Sequence, residues 1–132
     1  MTAATHSEFA RGLDAFNDQA FFECHDILEG LWLVAPPDWR PFYQGIIQAA
    51  AAFVHWQRGE TTGIVKLLDS ALTKLAPYEP LAMGLDVSNF RLQLARAHRY
   101  FTAPTATLAG FPSADLPHLV LAPPALAERP NR

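Results

Sequence analysis

The chain has 132 residues, of which 50% are apolar and 17% are charged, and this composition excludes a disordered protein. The net charge of −3 argues against nucleic-acid binding, and a single cysteine, Cys24, excludes an internal disulfide and a cysteine-type zinc site. No apolar run approaches the roughly 20 residues of a membrane span, and the initial MTAATHSEFARG lacks a signal-peptide centre. We therefore expect a cytoplasmic protein that does not enter a membrane.

Five stretches of the chain carry apolar residues at helical spacing, and turns rich in proline, glycine and asparagine separate them. The predicted helices cover residues 7–16, 19–32, 39–58, 61–75 and 86–101. Ser7 is the predicted cap of the first helix, and Asp86 or Ser88 caps the fifth. Because the proline-rich connection between them is short, the second and third helices are expected to be antiparallel neighbours. The pattern predicts an all-α protein, a single-domain bundle of about five helices.

The composition changes after Thr102. Six of the eleven prolines lie there, charges are sparse, and only LPHLVL (116–121) resembles a strand. We expect residues 102–132 to form an irregular, proline-rich tail over the bundle, disordered toward Arg132. The whole chain, residues 1–132, is then one helical domain with a core at about residues 7–101.

The predicted third helix, FYQGIIQAAAAFVHWQ (42–57), is apolar on nearly every face and is therefore expected to be enclosed by other helices. At about 100° per residue, its polar side chains Gln44, Gln48 and His55 fall on one narrow line. A buried amide or imidazole without a partner costs about 1–3 kcal/mol, so these three side chains require polar partners.

The predicted second helix, FFECHDILEGLW (21–32), offers such partners. His25 and Glu29 lie one turn apart at the edge of its core-facing stripe, whereas Glu23 and Asp26 point away. We therefore predict a semi-buried polar cluster between the second and third helices. Its members are His25, Glu29, Gln44, Gln48 and His55. The second-tier candidates are Glu23, Asp26 and Trp32.

One interpretation of this cluster is a hydrogen-bond network that fixes the register of the helices. Glu29 then accepts from an imidazole and the two glutamines bridge through their amides.

A second interpretation is a metal site. His25, Glu29 and His55 are ligand types that suit a divalent transition metal, and helical bundles hold such metals between facing helices. A metal-dependent enzyme of hydrolase type would follow from it.

A third interpretation is a small-molecule or acid–base site. His25 would be a base that Glu29 orients, between walls formed by Trp32, Tyr43 and Trp56. The sequence contains no nucleophile elbow, phosphate loop or HExxH motif, so it does not define a reaction.

Two motifs in the right order resemble a known family. FECHDILEGLW (22–32) is followed by FYQGIIQAAAAFVH (42–55) and then Arg58-Gly59, and this combination is similar to the bacterial and archaeal domain-of-unknown-function family number 309. The resemblance spans about residues 16–75. It implies a small all-helical fold and a site at the motif positions, but no substrate. The family has His-Glu where this chain has His25-Asp26, so Asp26 keeps the charge with a shorter reach. The motif positions that carry over are Glu23, His25, Asp26, Glu29, Gln44, Gln48 and His55.

The function that we infer from these patterns is a non-catalytic cytoplasmic interaction module that acts through a protein partner or by self-association. Trp39 and Trp56 are candidates for a dimer surface, since aromatic residues are favoured anchors there. The metal-dependent enzyme and a small-molecule-binding protein remain as alternatives.

Overall fold

A computed structural model describes residues 2–122 of the chain. Within this range the all-α prediction is confirmed, and the α-helices are α1 (Ala3–Asn17), α2 (Phe21–Val34), α3 (Arg40–Gln57), α4 (Ile64–Leu75) and α5 (Val87–Thr102). The smaller elements are the 3₁₀ turns Pro37–Trp39, Ala76–Tyr78 and Ser113–Asp115 and the strands β1 (Leu81–Ala82) and β2 (Leu85–Asp86). No helix among residues 2–122 combines the length and the apolar character that crossing a membrane requires.

Side-chain caps determine where two of the helices begin. The Thr2 hydroxyl accepts a hydrogen bond from the Thr5 backbone N–H at 3.0 Å, so α1 starts before Ser7 and the predicted cap at Ser7 is wrong. Both residues are good caps, and the sequence pattern alone did not distinguish them. For α5 the predicted cap is confirmed, because the Asp86 carboxylate accepts from the Asn89 backbone N–H at 2.9 Å.

Glycine conformations shape two connections that the sequence pattern placed less well. Gly63 has φ +94°, a left-handed conformation that keeps the preceding residues out of α4 and delays its start beyond residue 61. The connection before α5 contains the unpredicted antiparallel pair of β1 and β2. Met83 and Gly84, the two residues between these strands, both have positive φ, as tight two-residue hairpins require.

Helix α3 is the central element of the bundle. It packs against α2 on one side and α4 on the other, and ten of its residues are buried. The prediction that other helices enclose α3 is therefore confirmed. The close approach to α4 depends on Gly45, where an added Cβ would come within 2.7 Å of Leu75 Cγ.

Phenylalanine rings connect α3 with the other helices. The ring of Phe16 in α1 packs edge-on against Phe21 and Phe90, with ring centroids at 5.0 and 5.5 Å. Phe21 in turn lies 5.5 Å from Phe53 of α3. All four rings are fully buried, so they join α1, α2, α3 and α5 into one hydrophobic core.

The tail covers the bundle as far as residue 122, as predicted. Phe111, Leu116 and Leu119 are buried, and the Asn17 side chain exchanges two hydrogen bonds with the Leu119 backbone, at 2.7 and 2.9 Å. The strand predicted at 116–121 is reduced to a single bridge between Leu121 and Leu85. The predictions for residues 123–132, an irregular tail that is disordered toward Arg132, lie outside the described residues.

Replacing Gly45 with alanine should destabilise the protein. The new methyl group meets the fully buried Leu75, and such overpacking lowers the free energy of unfolding by about 1–3 kcal/mol. Gly30→Ala is the matched control, because an added Cβ there meets nothing within 4 Å. That variant should be more stable by up to about 1 kcal/mol through helix propensity. Urea unfolding followed by circular dichroism measures both, and equal changes would contradict the packing described here.

The thiol of Cys24 provides a pH-dependent prediction. Burial raises the pKa of Cys24 from its ordinary value of 9.0 to about 12. Above pH 9 the unfolded thiol therefore ionises while the native thiol stays protonated, and this group's contribution to stability falls as the pH rises toward 12. The stability difference between the wild type and Cys24→Ala should narrow over that interval in urea unfolding. A difference that does not change with pH would show that the thiol is not desolvated.

Candidate functional site

Two contacts define how the antiparallel helices α2 and α3 face each other. Phe21 packs on Phe53 near one end of their contact, and the Arg40 guanidinium lies 4.4 Å from the Trp32 ring centroid at the other. The antiparallel register set by these contacts puts His25 at the height of Gln48, and Glu29 at the height of Gln44, along the helix axes. The contact between α2 and α3 is here called the seam.

Two polar side-chain atoms, one on α2 and one on α3, are buried without a hydrogen-bond partner. They are Nδ1 of His25 and Oε1 of Gln48, and no other such side-chain nitrogen or oxygen occurs among residues 2–122. His25 Nδ1 lies 3.5 Å from the Asp26 carboxylate, beyond the usual range of an N–H···O hydrogen bond. The His25 ring also stacks parallel to Phe22 at 6.2 Å. His25 and Gln48 therefore each carry unused hydrogen-bonding capacity.

The predicted hydrogen-bond network is not formed. Within residues 2–122 no side-chain hydrogen bond joins two members of the cluster, and Glu29 is exposed rather than buried. The cause is the direction of Glu29, which leaves the seam on the solvent side and cannot accept from an imidazole there. Glu23 and Asp26 are exposed too, as their phase on the helix predicts, and Trp32 is half-buried beneath Arg40.

His55 does not join the cluster. It lies in the last turn of α3, close to where α2 begins, and its side chain is 37% exposed. Its Nδ1 is 2.8 Å from the Glu60 carboxylate, and the Glu60 backbone N–H donates to the His55 carbonyl at 2.9 Å. His55 therefore holds the loop after α3 in place through its contacts with Glu60.

The predicted metal site is not assembled either. In the described part of the chain, no group of three or more His, Cys, Asp or Glu side chains is placed to hold a metal ion. His25, Glu29 and His55 do not converge, because His55 turns to Glu60 and Glu29 turns to solvent.

A groove that the sequence pattern did not reveal lies at the other end of α2. Its volume is about 480 Å³, and its lining is mainly apolar. The lining residues are Thr2, Thr5, Leu31, Val34, Ala35, Pro36, Trp39, Tyr43 and Met83. The Tyr43 hydroxyl donates a hydrogen bond of 3.6 Å to the Met83 thioether, and burial raises the pKa of Tyr43. The proline-rich turn with Trp39 was the available signal, but Met83 comes from a distant hairpin.

One side chain that lines this groove, Val34, is 80% exposed. Its neighbour Leu33, also in the last turn of α2, is 64% exposed. Exposed apolar surface beside a concavity is typical of binding sites on proteins.

Together, the fold and the seam define a small all-helical protein built around a central α2–α3 pair. Residues 9–67 match the family model described as "Domain of unknown function (DUF309)", and this confirms the resemblance predicted from the motifs of the second and third helices. A segment of 73 residues is 34% identical to the uncharacterized protein YpuF of Bacillus subtilis (strain 168). That segment covers 54% of this chain and 42% of YpuF, so it spans less than half of the relative.

The unpartnered amide of Gln48 leads to a stability prediction. Replacing Gln48 with leucine removes a buried oxygen that lacks a partner, so the free energy of unfolding should stay the same or rise by up to about 1 kcal/mol. Gln93→Leu is the matched control, because Gln93 bonds to Asn89 and to the His118 backbone. It should lose about 1–2 kcal/mol. Similar losses in both variants, by thermal unfolding, would mean that Gln48 contributes a hydrogen bond after all.

Proposed function

We propose that this protein is a non-catalytic interaction module that binds a protein partner at the end of α2. The observation that carries the proposal is the exposure of Val34, which lines the apolar groove, together with the exposure of its neighbour Leu33. Isolated exposed apolar side chains are ordinary on protein surfaces, but an exposed apolar side chain that lines an apolar groove is typical of a binding site. Covering these two side chains with a partner would remove their apolar surface from water and so favour the complex.

The lining of the groove supports a protein partner. Trp39 and Tyr43 are aromatic side chains of the kind that dominate binding energy at protein interfaces. Both are held in place by packing: Trp39 lies edge-on to Phe42 at 5.5 Å and stacks on Tyr78 at 5.6 Å. A groove whose walls are already fixed loses little side-chain entropy when a partner binds.

The placement of His25, Glu29 and His55 supports a non-catalytic function over the alternative of a metal-dependent enzyme. Among residues 2–122 no carboxylate lies within hydrogen-bond reach of His25, and Glu29 and His55 point elsewhere, so these three residues form neither an acid–base pair nor a metal-ligand set. The proposal keeps the cytoplasmic location expected from the sequence, with which the single free thiol of Cys24 agrees.

One observation favours a second candidate, a small-molecule-binding protein. The volume of the groove, about 480 Å³, lies within the range of small-molecule sites, and its lining combines apolar side chains with the Tyr43 hydroxyl. The large exposed rim weakens this candidate, because small-molecule sites enclose most of their ligand whereas Val34 faces open solvent.

Photo-crosslinking tests the proposal. A benzophenone amino acid placed at position 33, in the full chain expressed in its source cell, should give one discrete crosslinked protein. Position 92 is the matched control, because Leu92 on α5 is 69% exposed but lies away from the groove. The crosslink at position 33 should disappear when Val34→Glu is added.

Three outcomes would overturn the proposal. They are the same products from both positions, no product from either, and a product with twice the mass of the chain, which would mean self-association. A small molecule that native mass spectrometry finds on the wild type and not on Val34→Glu, without any protein crosslink, would establish the second candidate instead.

A further inference from the structure

The solvent face of α2 carries one straight line of four side chains. Phe22, Asp26, Glu29 and Leu33 are separated by four, three and four residues, the spacing at which side chains follow one face of a helix. All four are exposed, and Phe22 and Leu33 are 54% and 64% accessible. At about 1.5 Å per residue this line, here called the α2 stripe, is about 16 Å long. It has an apolar side chain at each end and two carboxylates in the middle.

The carboxylates of the stripe are not neutralised within the described part of the chain. Helix α2 contains no lysine or arginine, and Glu29 takes part in no ion pair there. Asp26 approaches only the His25 imidazole, at 3.5 Å. Neither of the two arginines that contact α2 pairs with these carboxylates in the described residues: Arg40 lies over the Trp32 ring, and Arg58 lies over the Phe22 ring at one end of the stripe. A negative centre is therefore presented between two apolar ends.

We propose that the α2 stripe docks a helix of the partner protein whose facing side carries lysine or arginine between two large apolar residues. This rests on the proposed function and adds the chemistry of the partner. Charge complementarity selects the occupant, because opposite charges across an interface steer association and like charges exclude wrong partners. Leu33 is adjacent in sequence to Val34 at the groove rim, so the docked helix continues toward the groove.

A second copy of this chain does not fit the stripe. Antiparallel pairing of two stripes would match Phe22 with Leu33 of the other copy, but it would also place Asp26 against Glu29. Parallel pairing would place each carboxylate against itself. Both arrangements oppose like charges at the centre of the contact, which is unfavourable. A second copy of this chain is therefore excluded as the occupant of the α2 stripe.

A designed peptide tests the inference without knowledge of the natural partner. The probe is a capped 18-residue helix with leucines at positions 4 and 15 and lysines at positions 8 and 11, which repeats the spacing of the stripe. The comparison peptide has glutamates in place of the two lysines. Fluorescence anisotropy with the full chain should detect binding of the lysine peptide, and its affinity should fall as salt is added. The glutamate peptide should bind little.

Variants of the full chain locate the binding. The double variant Asp26→Asn, Glu29→Gln should weaken binding of the lysine peptide by roughly two- to thirtyfold, since exposed ion pairs contribute about 0.2–1 kcal/mol each. Leu33→Ala should also weaken binding of the lysine peptide. The control is Asp14→Asn, Asp69→Asn, which removes the same charge from exposed positions on α1 and α4 and should leave the affinity unchanged.

The outcomes separate this inference from the proposed function. Equal binding of the two peptides, or equal losses in the two double variants, would overturn the inference, and so would sedimentation showing that the wild-type chain dimerises through Leu33. If a discrete protein still crosslinks at position 33 in those cases, the interaction module stands and only its assigned partner chemistry is wrong. If the lysine peptide binds as expected and no protein crosslinks at position 33, the helix-docking inference holds and the proposed function as an interaction module is wrong.

Discussion

The close packing of α3 between α2 and α4 is the constraint on which the rest of this structure depends. A helix with ten buried residues needs neighbours on several sides, and small residues allow those neighbours to approach closely. Gly45 accepts Leu75 of α4 against its backbone, while Phe53 receives Phe21 of α2. With these contacts in place, the positions of α2 and of its two faces are determined. One face forms the seam and the other is presented to solvent.

The sequence predicts the helices and their inward faces well because both depend on the helical period. The phase of each residue correctly left Glu23 and Asp26 exposed, and it put Gln44, Gln48 and His55 on one line of α3, where all three are half-buried. The same reasoning failed for His55, since phase gives the angle of a side chain around a helix and says nothing about its height along the partner. His55 shares the angle of the glutamines but lies near the start of α2, where Glu60 is its available partner.

Other features could not be predicted because they depend on residues that are distant in the chain. The groove at the end of α2 is formed by the first turn of α1, the proline-rich turn and Met83 of the hairpin. No local pattern relates these segments to one another. The outward direction of Glu29 could not be predicted for a different reason. A long side chain at the edge of the core-facing stripe can turn either way, and solvation favours the outward position for a carboxylate.

The tail shows that the boundary of the folded unit differs from the boundary of its last helix. Phe111 packs against Phe53, Trp56 and Phe101, and the Trp56 indole donates to the Leu108 carbonyl at 3.0 Å. These contacts make residues 103–122 a structural lid on the aromatic end of the bundle rather than an appendix to it. A truncation chosen by helix content alone would stop at Thr102 and expose that aromatic end to water. Shortened versions of the protein made for crystallography or fusion should therefore keep every residue through Ala122.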